Sequence, residues 1–170
     1  LELTLNDGKC MISGKQIGLR TGLFENFKDY SAFESAYLKQ IDFFIDKMVL
    51  ASDVVEKLHQ VHLPSPFLSS VVDDCLAVGK DITAGGAKYN LSGIQAIQVA
   101  NIADSLAVIK KLVFEEKTVK KEELLDALRT NFEGKEQLRQ YCINRVPKYG
   151  NDISWVDELG AEWITYFAGK

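Results

Sequence analysis

An apolar repeat from Phe33 to Leu58 is the feature that most constrains how this chain can fold. Apolar residues recur there at steps of three, four and seven, the spacing that places side chains on one face of an α-helix. Ser31 and Glu34 have the spacing of a capping box, in which two side chains satisfy free backbone amides at a helix start. Pro64 and Pro66 mark the end, because proline lacks an amide donor and disfavours helical backbone just before it. The sequence therefore predicts a long amphipathic helix.

Shorter apolar periods predict that the rest of the chain is helical too. We expect helices over 67–78, closed by Gly79, and over 94–116, where the pattern is apolar on most faces. Further helices are expected to end at Gly8, to open at Thr118, to include 138–142 and to start near Ser154. No stretch alternates as an exposed sheet would, so we expect at most one or two short strands, around Tyr89–Ser92. The predicted fold class is a predominantly α-helical segment.

Length and charge exclude several classes of protein. A chain of 170 residues fits one domain, and 46% hydrophobic residues with a net charge of −4 give no basic footprint for nucleic acid. No apolar run approaches the roughly 20 residues that span a bilayer, and no charged leader precedes an apolar segment. We therefore expect a soluble, cytoplasmic protein with neither nucleic acid nor membrane as a partner.

The three cysteines are interpreted as structural. Cys10, Cys75 and Cys142 lie far apart, without the C-x-x-C spacing of a zinc knuckle or a redox pair. Cys75 follows Val71–Asp74 at helical spacing, where a small apolar side chain packs well. We predict reduced thiols that pack as small hydrophobic groups.

Glu56, His59 and His62 are the candidates for metal ligands. Glu56 and His59 form an E-x-x-H pair, which is half of a di-iron carboxylate site, but the other half is missing. His59 and His62 could share a zinc ion, yet such sites need at least three protein ligands and no third stands out. The hypothesis that these side chains lie at the boundary of a helix is therefore preferred.

Other polar motifs favour turns over chemistry. Gly85–Lys88 lacks the spacing of a phosphate-binding loop, so it predicts a tight turn that presents Tyr89. Asp73 and Asp74 are adjacent on a predicted helix and point apart, which favours solvated or capping carboxylates over a cation site. Tyr149–Asp152 predicts a turn in which Asn and Asp cap the following helix. The polar residues Asn101, Asp104 and Ser105 interrupt the apolar pattern of 94–116 and need hydrogen-bond partners.

Several motifs, in order along almost the whole chain, resemble one family. They are LELTLNDG at 1–8, GKQIG at 14–18, PSPFLSS at 64–70, GGAKYN at 85–90, ANIADSL at 100–106 and KYGNDISWVDELGAEW at 148–163. Together they are similar to one stretch of the glycyl radical enzymes, the pyruvate formate-lyase and glycerol dehydratase superfamily. PSPFLSS and GGAKYN resemble the dehydratase, lyase and decarboxylase branch more than formate acetyltransferase.

The resemblance implies that residues 1–170 are an internal segment of a ten-stranded α/β barrel. It would lie between the catalytic-cysteine loop and the C-terminal glycyl radical domain, neither of whose motifs occurs here, so we assign no catalytic, cofactor-binding or metal-binding residue to it. The parent would carry a glycyl radical installed by a radical S-adenosylmethionine activase, would use it to abstract hydrogen from a small organic substrate, and would form a homo-oligomer. This piece would be inactive scaffold, whose apolar helix faces pack against the rest of the barrel. A free-standing, non-catalytic helical interaction module derived from the family is the alternative.

Three positions depart from the family's pattern. Leu19 stands where a proline is usual, and Ala96 and Gln98 stand where glycines are common. Because glycine allows the closest backbone approach, we expect a local change at the start of the helix that follows.

Overall fold

The computed structural model describes residues 1–170 and contains helices but no β-strand. In chain order the α-helices are α1 Glu2–Leu5, α2 Tyr30–His62, α3 Pro66–Val71, α4 Cys75–Val78, α5 Val99–Val108, α6 Lys121–Arg129, α7 Glu136–Asn144 and α8 Ser154–Ala168. A π-helix, Ile109–Glu115, continues α5, and 3₁₀ turns occupy Phe24–Asn26 and Ile82–Ala84. The predominantly helical fold class is confirmed. The strand expected at Tyr89–Ser92 is absent, because the isolated β-bridges pair only Asn6 with Leu23 and Lys9 with Gln16.

The long helix α2 forms as predicted, but its start is capped differently. The Asp29 carboxylate accepts a hydrogen bond from the Ala32 amide at 2.8 Å. Ser31 already lies inside the helix, which begins at Tyr30. The predicted capping box of Ser31 and Glu34 is therefore wrong. The cap is Asp29, which lies two residues before Ser31. The helix ends at His62, two residues before the first proline.

Three other predicted boundaries are corrected. The helix expected over 67–78 is two helices, because Asp74 adopts a left-handed backbone with φ of 74° between α3 and α4. Gly79, with φ of 64°, closes α4 as expected. The helix expected from residue 94 begins at Val99, and the one expected to open at Thr118 begins at Lys121. In each case a helix forms over part of the expected range, and the local backbone geometry decides its ends.

The chain divides into two units, and the first has a buried apolar core. This unit comprises Leu1–Phe43 and Ala96–Lys170. Five of its large apolar side chains are less than 2% exposed: Phe24, Phe33, Leu106, Leu112 and Val156. The core includes an edge-to-face contact of the Phe24 and Phe33 rings, 5.4 Å between centroids. Helix α5 packs against α8, so the apolar faces predicted for these segments and for the first half of α2 are buried.

The second unit, Phe44–Gln95, buries almost no apolar side chain. Cys75 is its one buried hydrophobic residue, and Ser69 is its one buried polar residue. Large apolar side chains of the unit remain in contact with solvent: Leu50, Val54, Val55, Leu58, Val61, Leu63, Phe67, Val71, Leu76, Tyr89 and Leu91 are each 48% exposed or more. None of the helices combines the length and the apolar character that a membrane span requires.

Gln98 stands where the family that the sequence resembles commonly has glycine, and its backbone conformation allows a test of that difference. It precedes α5 with φ of 63°, a left-handed conformation that side chains other than glycine adopt at a cost. We expect Gln98→Gly to raise the free energy of unfolding in urea by about 0.5–1 kcal/mol. Ala96→Gly is the matched control, because Ala96 does not have a positive φ. A gain in stability from Ala96→Gly, or a loss from Gln98→Gly, would contradict the explanation.

Candidate functional site

The Asp81 carboxylate joins two sequence motifs of the second unit, PSPFLSS at 64–70 and GGAKYN at 85–90, by hydrogen bonds. Its Oδ2 accepts hydrogen bonds from the Ser65 amide at 3.0 Å and from the Ser69 hydroxyl at 2.8 Å. Its Oδ1 accepts from the Thr83 amide at 2.9 Å and from the Thr83 hydroxyl at 2.7 Å. Each oxygen thus has two donors, the full acceptor capacity of a carboxylate. PSPFLSS supplies one pair of donors, and the turn that leads into GGAKYN supplies the other.

Ser69 extends this network inside the unit. It is 7% exposed, and its hydroxyl oxygen accepts from the Ile82 amide at 2.9 Å. The same hydroxyl lies 2.8 Å from both the Asp81 carboxylate and the Ser65 carbonyl oxygen. A hydroxyl has one hydrogen, so it donates to one of these two acceptors at a time. The donors from Thr83, followed by those from Ser69 and Ser65, lower the pKa of Asp81 to about 2.

The glycine pair closes the turn that Asp81 starts. Gly85 adopts φ of 78°, and a Cβ built on Gly86 would lie 2.1 Å from the Lys80 carbonyl oxygen. No side chain fits at Gly86, so the pair is explained by backbone geometry. The turn presents Tyr89, which is 81% exposed, with the Lys88 ammonium 5.9 Å from its ring centroid.

The predicted metal candidates are not brought together. His59 and His62 are exposed on α2, and the Glu56 carboxylate accepts a hydrogen bond from the Ser92 hydroxyl. Asp73 and Asp74 are exposed between α3 and α4 and not on one helix as expected. The structure contains no group of three or more His, Cys, Asp or Glu side chains that could hold a metal ion.

The KYGND turn is fixed by carboxylates other than those predicted. The Tyr149 amide donates to Asp104 at 2.7 Å, and the Gly150 amide donates to Asp157 at 2.7 Å. No side-chain hydrogen bond caps α8, and Asp152 has φ of 59°, so the predicted cap by Asn and Asp is wrong. The expected partner for Asp104 is found here. Ser105 also finds one, donating to the Asn101 carbonyl at 2.7 Å.

A cavity of about 430 Å³ in the first unit offers little for recognition of a polar ligand. Its lining is mostly apolar, with Leu5, Ile109 and Leu124 among the side chains. The Glu2 carboxylate in its wall already accepts from the Met11 amide at 2.6 Å. Ligand sites need polar groups that converge on the ligand, and the Glu2 carboxylate and the Ser105 hydroxyl in this lining already have partners within the chain.

Comparison with known proteins identifies the family. The family model for pyruvate formate lyase-like proteins matches residues 1–170. The chain belongs to this family. The predicted membership of the glycyl radical enzyme superfamily is therefore confirmed.

Relatives extend well beyond the length of this chain. Trans-4-hydroxy-L-proline dehydratase from Clostridioides difficile is 44% identical over 162 residues, which is 95% of this chain and 20% of that enzyme. Its substrate-bound crystal structure superposes with a TM-score of 0.91 at 42% identity, over 98% of this chain and 21% of that one. (2S)-3-sulfopropanediol dehydratase from Klebsiella oxytoca is 36% identical over 94% of this chain and 19% of its own length. A glycyl radical enzyme from Archaeoglobus fulgidus gives a TM-score of 0.84 at 30% identity, over 98% of this chain and 21% of that one. The chain spans about a fifth of the length of these relatives.

Sequence reasoning missed Asp81, although a local signal was available. Asp81-Ile82-Thr83 has the spacing at which an aspartate accepts from the backbone two residues on, and Gly85–Gly86 follows directly. The contribution of Ser65 and Ser69 had no such signal, because they lie 16 and 12 residues away from Asp81.

Asp81→Asn tests the network. An amide replaces one carboxylate oxygen with a donor, which cannot accept from Ser65 and Ser69 or from Thr83. We expect faster hydrogen exchange, measured by NMR, at whichever of the Ser65 and Thr83 amides faces the new NH2 group, while the control Asp73→Asn leaves both unchanged. Unchanged protection in Asp81→Asn would show that the carboxylate is not what joins the motifs.

The lowered pKa of Asp81 predicts how the stability of the second unit changes in acid. Its pKa in the folded chain, about 2, is below the ordinary 3.8, so the network stabilises the fold above pH 4 and loses this contribution as pH falls from about 4 to 2. The chemical shifts of the Ser65 and Thr83 amides should titrate with a midpoint near 2 in this window. A midpoint near 4 would contradict the network.

Alkylation rates test the interpretation of the cysteines. Hydrogen bonds from Ser13 lower the pKa of the Cys10 thiol, whereas burial raises the pKa of Cys142, and Cys75 is 2% exposed. Because the thiolate is the reactive form, iodoacetamide should modify Cys10 first, Cys142 more slowly and Cys75 last. Peptide mapping by mass spectrometry measures this order. Early modification of Cys75 would refute its assignment as a packed side chain.

Proposed function

We propose that residues 1–170 form a scaffold segment of a glycyl radical enzyme of the dehydratase, lyase or decarboxylase type. The segment lies between the catalytic-cysteine loop and the C-terminal glycyl radical domain of the parent. The observation that carries this proposal is the second unit, which holds its motif backbone with hydrogen bonds and leaves the motif side chains Phe67 and Tyr89 84% and 81% exposed. Exposed apolar side chains of this kind are typical of a surface that other parts of a protein cover.

The chemistry of the parent follows from the family. A glycyl radical takes hydrogen from a cysteine, the resulting thiyl takes hydrogen from a small organic substrate, and elimination, decarboxylation or carbon–carbon cleavage follows. Residues 1–170 supply no group to these steps. They contribute the backbone frame that positions PSPFLSS and GGAKYN, so the isolated chain is inactive and binds no cofactor.

The partners of the parent follow from the same chemistry. A radical S-adenosylmethionine activase installs the glycyl radical, and oxygen destroys it, which places the enzyme in an anaerobic cytoplasm. The parent forms a homo-oligomer. The similarity to two dehydratases across more than nine-tenths of this chain supports the dehydratase branch over formate acetyltransferase.

The alternative, a free-standing interaction module, has less support. An independent module needs a core that stabilises each of its parts. The first unit has one, but residues 44–95 bury only Cys75 among their hydrophobic residues.

Electron spin resonance tests the proposal directly. The full-length chain, treated anaerobically with its activase and S-adenosylmethionine, should show the doublet of a glycine-centred radical. The 170-residue chain under the same treatment is the matched control and should show none. If the full-length chain shows no glycine-centred signal after treatment with an active activase, the proposal is refuted.

A further inference from the structure

Two glutamates of the first unit line one small cavity where the first half of α2 packs against α8. The Tyr37 and Trp163 rings of these helices meet edge to face, with 4.4 Å between their centroids. The cavity has a volume of about 180 Å³ and is lined by Glu34, Leu38, Glu162, Trp163 and Tyr166. Glu34 belongs to α2 and Glu162 to α8, so each helix brings one carboxyl group to the same cavity.

Neither of these two carboxylates forms an ion pair. The ion pairs of the first unit use other acids, namely Asp42, Glu116, Asp126 and Glu136. The Lys110 ammonium of the π-helix lies over aromatic rings, 5.3 Å from the Tyr30 centroid and 5.9 Å from the Trp155 centroid. The Trp163 indole N–H in the lining is buried and has no hydrogen-bond partner. The cavity therefore contains two carboxylates whose charges no cation contacts.

The surroundings of Glu34 favour its protonated form. Burial raises the pKa of Glu34 above its ordinary 4.5, the Glu162 charge raises this pKa further, and the Lys110 ammonium opposes both effects. Tyr30, one turn earlier on α2, remains a phenol, because burial and the charges of the two glutamates raise its pKa as well. Two carboxyl groups in one partly buried cavity cannot both ionise at low cost, so one of them retains a proton.

Another carboxylate between α2 and α8 is arranged in the opposite way. Asp42 lies about two helical turns after Glu34. Its Oδ1 accepts a hydrogen bond from the Tyr166 hydroxyl at 2.7 Å and lies 3.0 Å from the Lys170 ammonium. The hydrogen bond from Tyr166, followed by that from Lys170, lowers the pKa of Asp42 below its ordinary 3.8. Asp42 thus stabilises the helix contact as an ionised group, and only Glu34 and Glu162 lack such partners.

We propose that Glu34 and Glu162 share one proton across the cavity and make the contact between α2 and α8 sensitive to pH. With the proton present, one carboxyl group donates a hydrogen bond to the other. Without it, two negative charges repel each other across the contact. The proton is taken from solvent and returned to it, so the pair needs no other reactant. This inference concerns residues 1–170 themselves and is independent of the proposed function.

The direction of the pH effect follows from proton linkage. Because the folded chain holds a proton on Glu34 more tightly than the unfolded chain does, protonation favours the folded chain. This contribution is complete below the ordinary pKa of 4.5 and is lost as pH rises through the higher pKa of the folded chain. The contact between α2 and α8 is therefore tighter in mild acid than at neutral pH.

Carboxyl titration by NMR tests the inference. The side-chain ¹³Cδ signals of Glu34 and Glu162 in the 170-residue chain are followed from about pH 3 to about pH 8. We expect both signals to titrate in the same two steps, because the pKa values of interacting groups belong to the pair. The upper step should lie above 4.5, and the Trp163 indole N–H signal should shift with it. The Asp42 signal, with a midpoint below 3.8, is the internal reference.

Glu162→Gln and Glu158→Gln are a matched pair of variants. Each removes one charge from an exposed position of α8, one turn apart, but Glu158 does not line this cavity. Glu162→Gln should lower the midpoint of Glu34 and leave a single step, whereas Glu158→Gln should preserve both steps. Glu34→Gln should likewise leave Glu162 with a single step.

The urea midpoint of the chain measures the effect on the helix contact. In the unsubstituted chain this midpoint should fall as pH rises above 4.5, because the shared proton is lost. Glu34→Gln should remove most of this fall, because a glutamine has no proton to lose at these pH values.

Three results would overturn the inference. Separate single titrations of Glu34 and Glu162, with midpoints at or below 4.5, would do so without any variant. Equal effects of Glu162→Gln and Glu158→Gln on the Glu34 midpoint would show a general effect of surface charge. A urea midpoint that falls equally in Glu34→Gln and in the unsubstituted chain would show that the pair does not act on the contact between α2 and α8.

Discussion

The fold of residues 44–95 depends on one carboxylate more than on any apolar core. Asp81 accepts from the Ser65 amide and from the amide and hydroxyl of Thr83, and it shares the Ser69 hydroxyl hydrogen with the Ser65 carbonyl, so it connects the start of α3 to the turn before Gly85. Hydrogen bonds to an ionised acceptor are stronger than neutral ones, so these donors hold the two segments in place. Hydrogen bonds to Asp81 therefore hold the backbone of this unit, whereas the backbone of the first unit is held by packing around side chains such as Phe33 and Leu106.

This difference explains why the two units expose their side chains so differently. The first unit buries a large set of apolar residues in one core, because α5, α8 and the first half of α2 present them to one another. The second unit keeps its backbone in place by hydrogen bonds, so its apolar side chains stay available for other contacts. An exposed apolar face is a liability in an isolated domain and an asset in a segment that belongs to a larger fold. Family membership over a fifth of the relatives' length agrees with the second case.

What the sequence predicts well is periodic, and what it misses is decided by tertiary geometry. The repeat of α2 was readable because helical spacing alone places its apolar side chains on one face. The cap at Asp29 was missed because Ser31, two residues later, is also a suitable acceptor. The break at Asp74 was missed because a single left-handed residue does not alter the apolar periodicity. The role of Asp81 was missed because it depends on donors far away in the chain. The sequence shows that Gln98 replaces a common glycine, but only the structure shows that its φ is positive.

The two motifs of the second unit divide into residues that the structure explains and residues that it leaves to a partner. Ser65, Ser69 and Gly86 are required by hydrogen bonds or by the lack of room for a Cβ. Phe67 and Tyr89 make no comparable contact and are 84% and 81% exposed. A large aromatic side chain contributes when both its area is buried and its edges are contacted, and neither holds for these two. The internal half of each motif thus builds a frame, and the two aromatic side chains that this frame leaves in solvent are the ones that the proposed function assigns to contacts with other parts of the parent.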